Sequence, residues 1–422
     1  MADGVLDVTD RLFRGETSVD QVHPVLVDAD LDEVAPGIGF VPAFGNISAF
    51  ATDDGLLLVD TGGRHVARSN FDKVRSWSDR PLATVIYTHG HIDHVFGLGP
   101  YEEEADAAGR PPPHVIGHEL VPARFDRYKL TAGYNGVINA RQFKLPEFRW
   151  PTEYRYPDET YRDRHDVELG GQRFELHHGK GETDDHTWIW MPDRKVLCTG
   201  DLFIWASPNC GNPQKVQRYP REWALALREM AALGPELLLP GHGWPIAGAE
   251  RVHQALTDTA DLLDSLVDQT LAMMNAGARL DEIVHTVRAP ADLLDRPYLR
   301  PVYDEPEFVI RTVWRLYGGW YDGNPAHLKP APEAALAAEL ASLAGGAGRL
   351  AERAAALATA GDLRLAGHLA ELAAQAAPDV PGVHRVRAEV FGRRAAEERS
   401  TMAKGIFSWA AKESRDRSEP GG

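Results

Sequence analysis

The sequence lacks most of the features that mark secreted, membrane-spanning or disulfide-rich proteins. Two of its 422 residues are cysteines, Cys198 and Cys210, which is too few for a disulfide framework, and they form no CxxC pair that would indicate a thiolate metal site. No apolar run approaches the roughly 18 residues of a membrane span. The N-terminal residues show neither the basic nor the apolar region of a signal peptide. We therefore expect a cytoplasmic protein.

Positive charge is also scarce. The chain has 62 acidic residues against 45 basic ones, so its formal net charge is −17. No basic tail or stripe stands out, which argues against nucleic acid as a partner. The 43% of hydrophobic and 25% of charged residues are ordinary for a globular protein with a sizeable core. The length fits two or three domains.

Short β-rich runs alternate with helical periodicity from about residue 36 to 246. We predict strands at 55–63, 83–88, 186–191, 195–199 and 236–240, the third and fourth forming a hairpin, and helices at 67–78 and 221–233. Polar residues and glycines follow several of these strands. The pattern predicts an α/β layered domain with its site at one edge of the sheets.

The character of the chain changes after about residue 250. Apolar residues recur at helical spacing from Leu256 to Met274, and an irregular stretch with several prolines follows at 289–308. From 332 onward alanine and leucine dominate, and we predict helices at 335–343, 348–360, 364–376 and 383–394. The polar tail at 413–422 is predicted to be disordered.

The most informative motif follows the predicted strand 83–88. It places His89, His91, Asp93 and His94 within six residues. Neutral imidazole and carboxylate are both good ligands for Zn²⁺, whereas the same groups would repel one another when protonated in a core. Residues two apart on an extended segment point the same way, so His89 and His91 can reach one ion. Asp93 and His94, past the turn, can reach a second.

Further ligands are expected at the ends of later strands. The candidates are Glu182 and His186, which compete for one role, Asp201 after Gly200, and His242 between two glycines. The alternatives are a capping or turn aspartate at Asp201 and a turn histidine at His242. Together with the histidine cluster, these residues indicate a centre for two metal ions.

The run Thr88-His-Gly-His-Ile-Asp-His94, with Asp60-Thr-Gly62, Gly200-Asp201 and Gly241-His242, resembles the metallo-β-lactamase-fold hydrolases. The resemblance implies an αββα sandwich with two metals, usually zinc, although the same ligands accept Fe and Mn. It also implies that metal-activated water attacks the substrate.

A narrower resemblance comes from the second half of the chain. The run Tyr317-Gly-Gly-Trp-Tyr-Asp-Gly-Asn-Pro-Ala-His-Leu328 is similar to the signature of the dimerisation domain of alkyl sulfatases, and Gly181-Glu182 resembles the same family. It implies a catalytic domain at 1–247, a helical dimerisation-like domain at 248–412, and a homodimer. The bridging position is Asp201 here, whereas alkyl sulfatases typically have glutamate.

The resemblance implies specific roles. His89, His91 and Glu182 would bind one zinc, Asp93, His94 and His242 the other, and Asp201 would bridge them. His186 is the alternative ligand or a neighbour of the ligands. Asp93 and Asp201 are the candidate catalytic residues, and the candidates for substrate binding are Asn209, Lys215, Arg218, Tyr134 and Arg141.

The two resemblances imply a metal-dependent hydrolase of alkyl or other organic sulfate monoesters, with a small anionic ester as substrate. One alternative is a hydrolase of the same fold that cleaves carboxylic esters, thioesters or lactones. The other is a non-catalytic scaffold whose helical half binds a partner protein, which predicts that no metal is bound.

Overall fold

The computed structural model describes residues 4–419 except 26 and 146. The chain forms two compact units. The first unit comprises Met1–Ala132 and Trp150–Gly319, and the second comprises Gly133–Arg149 and Trp320–Gly422.

The first unit contains a seven-stranded sheet with the strands in sequence order. The strands are β1 (Asp32–Ala35), β2 (Ile38–Val41), β3 (Ile47–Thr52), β4 (Gly55–Val59), β5 (Leu82–Ile86), β6 (His114–His118) and β7 (Glu159–Tyr161). Strands β1 to β4 pair antiparallel, and β4 to β7 pair parallel. The parallel half delivers the polar residues that follow β4 and β5 to one edge of the sheet.

A second, six-stranded sheet has the order β13-β12-β11-β10-β9-β8. The strands are β8 (Arg164–Leu169), β9 (Gln172–His178), β10 (Thr187–Met191), β11 (Val196–Ile204), β12 (Leu237–His242) and β13 (Ile246–Ala247). Strands β11 and β12 are parallel, and the other pairs are antiparallel.

Helices complete the first unit. They are α1 (Val5–Phe13), α2 (Ala67–Trp77) after a 3-10 turn (Arg64–Val66), α3 (Ile92–Val95), α4 (Gly99–Ala107), α5 (Val121–Leu130), α7 (Pro220–Ala232), α8 (Ala249–Asn275), α9 (Leu280–Thr286), α10 (Ala291–Leu294) and α11 (Pro306–Gly318). The second unit is helical, with α6 (Ala132–Phe143), α12 (Pro325–Leu328), α13 (Glu333–Ala344), α14 (Ala347–Thr359), α15 (Leu363–Ala376), α16 (Pro381–Glu397) and α17 (Thr401–Ser418). Among the described residues, no helix is long and apolar enough to cross a membrane.

The two sheets of the first unit pack face to face. Phe50 on β3 meets Phe174 on β9 with their ring centroids 5.3 Å apart. Strands β4, β10 and β11 are buried along their whole length. One face of each sheet packs against the other sheet, and helices cover the opposite face. On the second sheet α7 packs against β11 and α8. This is the αββα sandwich that we predicted, followed by a helical region.

The strands and helices that we predicted are present, with ends shifted by a few residues. The tail is the exception, because α17 continues through 413–418, where we expected disorder. Ser400 caps its first turn, and Ser414 is buried and bonded to Arg387 of α16 at 2.7 Å. This packing against α16 orders a segment whose composition is polar. Residues 420–422 lie outside the described residues, and the predicted domain boundary at 247/248 stays a prediction.

Candidate metal centre

Residues on or just after three strands, β5, β11 and β12, converge on one site in the first unit. His89 and His91 lie in the loop after β5, and the short helix α3 carries Asp93 and His94. Asp201 lies within β11, and His242 ends the parallel neighbour β12. The two strands approach closely here, since a Cβ on Gly241 would lie 2.1 Å from Oδ1 of Asp201. Only glycine fits this position without moving the aspartate.

One group of side chains consists of His89, His91, Glu182 and Asp201. Nε2 of His89 lies 2.8 Å from Nδ1 of His91, and the latter lies 3.7 Å from Oε1 of Glu182. Nε2 of His89 is 3.9 Å from Oδ2 of Asp201. Two ligand atoms that each lie about 2.0–2.2 Å from a tetrahedral ion are about 3.3–3.6 Å apart. The distances between the ligand atoms of this group lie on both sides of that range, so small side-chain movements would let one ion bind.

A second group consists of Asp93, His94 and His242. Oδ2 of Asp93 lies 3.6 Å from Nε2 of His94 and 3.6 Å from Nε2 of His242. Asp201 faces this group as well, with its Oδ1 3.4 Å from His94 and its Oδ2 3.1 Å from His242. The carboxylate of Asp201 thus lies between the two groups, where a ligand shared by two ions would have to lie.

Buried polar atoms of the site show that a cation fits it. Nε2 of His94, Oε2 of Glu182 and Oδ1 of Asp201 are buried and make no hydrogen bond of normal geometry. Such atoms are costly unless a partner satisfies them. Three carboxylates and four imidazoles lie in the two groups together. A pair of divalent cations satisfies this donor set.

The protonation of the histidines follows from their surroundings. Burial lowers the pKa of His89 and of His91 well below the usual value, so both imidazoles are neutral and able to bind a metal. Burial also disfavours the charged form of His94, but the carboxylates of Asp201 and Asp93 outweigh it and raise its pKa well above the usual value. In the absence of cations, a proton on His94 balances part of the negative charge.

His186 belongs to neither group. Its Nε2 accepts the backbone N–H of Asp201 at 3.0 Å, and its ring stacks on His89 with centroids 4.8 Å apart. An imidazole nitrogen that accepts this bond is not available to a metal. Of the two roles that we considered for His186, the geometry favours that of a neighbour that supports the ligands.

Asp60 orients His94, a contact that the motif alone did not reveal. Its Oδ2 accepts from Nδ1 of His94 at 2.7 Å and from the hydroxyl of Thr88 at 2.7 Å, and its Oδ1 accepts the backbone N–H of Thr88 at 2.8 Å. Since Nδ1 of His94 donates to a carboxylate, loss of the other proton on metal binding would leave the lone pair of this imidazole on Nε2, toward Asp93 and Asp201.

Asp185 holds the loop that carries the two first histidines. It is fully buried, accepts the backbone N–H of Gly90 at 3.0 Å and pairs with Nε of Arg124 at 2.8 Å. Burial acts to raise its pKa, but Arg124 outweighs this effect and the pKa is lowered. Asp185 is therefore a buried support of the histidine loop and not part of a solvated acidic loop.

Two of the candidate substrate residues contact Glu182. The side-chain amide of Asn209 donates to Oε1 of Glu182, and the guanidinium of Arg218 lies 3.1 Å from the same oxygen. Arg218 also donates to the backbone carbonyl of Glu182. All three side chains are buried. Arg218 therefore compensates a buried candidate ligand, which leaves less of its charge for a substrate.

Lys215 and Tyr303 complete the polar surroundings of the site. Lys215 is partly buried, with its Nζ 5.5 Å from the ring centroid of Trp150. Burial lowers the pKa of Lys215 to about 8. Burial raises the pKa of Tyr303 well above its usual value, and the charges of Glu182 and Asp93 raise it further. Tyr303 lies in the irregular stretch 289–308, where no sequence signal marked it as a site residue.

Tyr134 and Arg141, the remaining candidates for substrate binding, lie on α6 in the second unit. Tyr134 is 64% exposed. Their part in substrate binding stays a prediction.

Comparison with known families agrees with this architecture. The model of the metallo-beta-lactamase superfamily matches residues 41–242, and the model for alkyl sulfatase dimerisation matches residues 279–417. The first match begins before β3 and ends at His242. The second begins just before α9 and covers most of the helical region.

Alkylsulfatases are among the similar proteins. The chain is 28% identical to the linear primary-alkylsulfatase of a Pseudomonas sp. strain over 336 residues, which cover 74% of this chain and 62% of that protein. It is also 28% identical to the (R)-specific secondary-alkylsulfatase of Pseudomonas sp. over 418 residues, 92% of this chain and 63% of the relative. The chain thus spans less than two thirds of the length of either relative.

A solved structure shows the same fold. The stereoselective inverting sec-alkylsulfatase Pisa1 from Pseudomonas sp. superposes with a TM-score of 0.83 at 24% identity, over 93% of this chain and 66% of that one. At this identity the likeness shows the fold, and the two matched family models show a metallo-beta-lactamase superfamily domain followed by an alkyl sulfatase dimerisation region.

Proposed function

We propose that this protein hydrolyses sulfate monoesters of small or medium organic alcohols at a centre of two zinc ions. The observation that supports it most is the pair of ligand groups that share Asp201, next to a loop that carries Lys215. Alkylsulfatases among the similar proteins point to the same chemistry.

The ligand assignment that we propose follows the two groups. His89, His91 and Glu182 would hold one ion, and Asp93, His94 and His242 would hold the other. Asp201, which faces both groups, would be a ligand of both. Bound there, the two ions would lower the pKa of a water molecule and polarise an oxygen of the ester. Imidazole and carboxylate ligands suit zinc, and a divalent ion of another metal would use the same donors.

The remaining residues prepare the site for an anion. Arg218 and Asn209 hold Glu182 in place from the side of the loop 207–218. Lys215, charged below pH 8, supplies the positive charge that a sulfate ester needs in a protein whose net charge is −17. The side chains of His91 and Asp93 are 16% and 19% exposed, whereas His89 and His94 are fully buried. Substrate therefore approaches from the side of His91 and Asp93.

Lys215→Met tests the nature of the substrate. The change keeps an unbranched side chain that is one atom shorter but removes its charge, so we expect kcat/KM for an alkyl sulfate to fall by about 10²-fold, as for removal of one electrostatic donor. Turnover of a neutral carboxylic ester, if present, should change little. The matched control is Lys129→Met, which removes another lysine that lies over an aromatic ring, that of Tyr156 at 4.5 Å. Equal turnover of alkyl sulfates by wild type and Lys215→Met would contradict the proposal.

We also propose that the protein acts as a homodimer in the cytoplasm. The match to the alkyl sulfatase dimerisation model supports the dimer. Both cysteines are buried and free, as is usual in a reducing compartment. Fractionation of cells with an antibody to the protein tests the location, and recovery outside the cytoplasmic fraction would contradict it.

A further inference from the structure

The buried carboxylate of Asp304 joins the loop 207–218 to the segment 295–308, which follows α10. Asp304 is completely buried, and its Oδ2 accepts the backbone N–H of Gly211 at 2.5 Å. The backbone N–H of Asn212 donates to the same carboxylate. The other oxygen, Oδ1, accepts the backbone N–H of Glu305 at 2.7 Å. One side chain thus binds two consecutive amides of the loop and one amide of its own segment.

The loop and the segment are in close contact at two further points. The backbone N–H of Ser207 donates to the carbonyl of Arg300 at 2.9 Å. A Cβ on Gly211 would lie 2.3 Å from the backbone of Phe308, so only glycine allows this approach. The loop is consequently held against the segment at its beginning and in its middle.

A carboxylate at this position is costly and difficult to replace. Burial raises the pKa of Asp304 to about 7, against the influence of the three backbone donors and of Arg218. A buried carboxylate is tolerated only when hydrogen bonds compensate it. Asparagine has a single acceptor oxygen and cannot accept both from the loop amides of Gly211 and Asn212 and from the amide of Glu305. The three hydrogen bonds therefore require aspartate.

The loop that Asp304 holds carries the groups that face the metal centre. Asn209 lies two residues before Gly211, and Lys215 and Arg218 follow. Tyr303, on the other side of the contact, precedes Asp304. The segment belongs to the part of the chain that matches the dimerisation model, yet it lies in the unit that contains the metal centre.

We propose that Asp304 is a positioning residue for substrate binding. Its carboxylate fixes the loop 207–218 against the segment 300–305 and so sets where Lys215 meets the anionic group of the ester. The proposal rests on the proposed function for the identity of that anion. The beginning of the dimerisation region is then a wall of the catalytic site as well as a connection to the helical unit.

Asp304→Asn tests this role in the full-length protein. We expect KM for an alkyl sulfate to rise about tenfold while kcat changes less than about threefold, because Lys215 binds the ester, whereas the bonds of Asn209 and Arg218 to Glu182 keep that part of the loop on the metal ligand. The matched control is Asp258→Asn on α8. Asp258 holds the residues just before the segment 300–305, accepting from the hydroxyl of Tyr298 at 2.6 Å and pairing with Arg296 at 2.9 Å. The control should leave KM unchanged.

Hydrogen exchange gives a second readout that needs no turnover. In Asp304→Asn, peptides that cover 207–218 should exchange about tenfold faster than in wild type, while those from β11 and β12 should not change. If wild type releases no sulfate from any ester, the proposed function fails, and the exchange result still decides whether Asp304 fixes the loop.

Two results would overturn the proposal. One is that Asp304→Asn has the same KM for an alkyl sulfate as the wild type. The other is that the amides of residues 207–218 exchange at the same rate in the variant as in the wild type. If the variant does not fold, the amides of Gly211 and Asn212 in the wild type decide. Slow exchange of both supports the contact with Asp304, and exchange at the rate of an unstructured peptide overturns it.

Discussion

Replacing Asp60 with asparagine tests how the centre is built. Asp60 accepts from His94 and from both donors of Thr88. It has a left-handed backbone, with φ of +60°, a conformation that asparagine adopts as readily as aspartate. The substitution therefore alters the hydrogen bonds and leaves the backbone conformation available. Whichever way the new amide is turned, its NH₂ group faces either His94 or Thr88, both of which donate.

The expected loss follows from these bonds. A donor facing Nδ1 of His94 favours the tautomer with its proton on Nε2, the atom that we assign to the metal. Loss of such a supporting carboxylate typically weakens metal binding by about 10- to 100-fold, or about 1.4–2.8 kcal/mol. The hydrogen bonds here are short and buried, so we expect the upper half of this range.

Competition with a chelator measures the effect. Zinc would be titrated from wild type and Asp60→Asn, with kcat/KM for an alkyl sulfate measured on the same samples and circular dichroism as a check on folding. Asp258→Asn is the control, since it removes a carboxylate with two donors that lies outside the centre. Zinc affinity of a folded Asp60→Asn within about twofold of wild type would refute the role of Asp60 in orienting His94.

Three further predictions concern charge, stability and assembly. Burial lowers the pKa of Lys215 to about 8, so its charge is present below pH 8 and lost above it; KM for an alkyl sulfate should rise between pH 7 and 9.5, and Lys215→Arg should remove that rise. In the metal-free protein Arg218→Met leaves the carboxylate of Glu182 buried without a cation, and urea unfolding should show a loss of about 3–5 kcal/mol; a loss below about 1 kcal/mol would contradict this. Light scattering should give twice the chain mass of 46.5 kDa, whereas the mass of one chain at micromolar concentration would contradict the dimer.

Much of the fold was predictable because strands and helices leave periodic patterns. The predicted strand 83–88 overlaps β5, which ends two residues earlier, and β10 and β11 form the predicted hairpin. The candidate ligands were also predictable, since each follows or ends an apolar run. Parallel pairing of β11 with β12 then brings Asp201 and His242 together.

Contacts between distant loops left no such pattern. Asp304 reaches Gly211 across 93 residues, and Arg124 pairs with Asp185 across about 60. Neither pairing has a spacing or a local composition that indicates it. The helix α17 was missed for a related reason, because its polar sequence is ordered by packing against α16 rather than by its own hydrophobicity.

Arg218 shows how structure changes an interpretation. The sequence offered it as a group that binds the substrate, beside Lys215. In the fold its guanidinium is buried against Glu182. Loss of activity on its substitution would therefore report damage to the metal centre, and Lys215 is the residue whose substitution discriminates between an anionic and a neutral substrate.

Metal analysis of the purified protein, combined with a substrate panel, tests the proposed function most directly. We expect two zinc ions per chain and release of inorganic sulfate from alkyl sulfates, both lost together when His89 and His242 are replaced by alanine. Absence of bound metal would favour a non-catalytic scaffold. Two bound ions with turnover of carboxylic esters, thioesters or lactones, and none of alkyl sulfates, would contradict the assignment as a sulfatase.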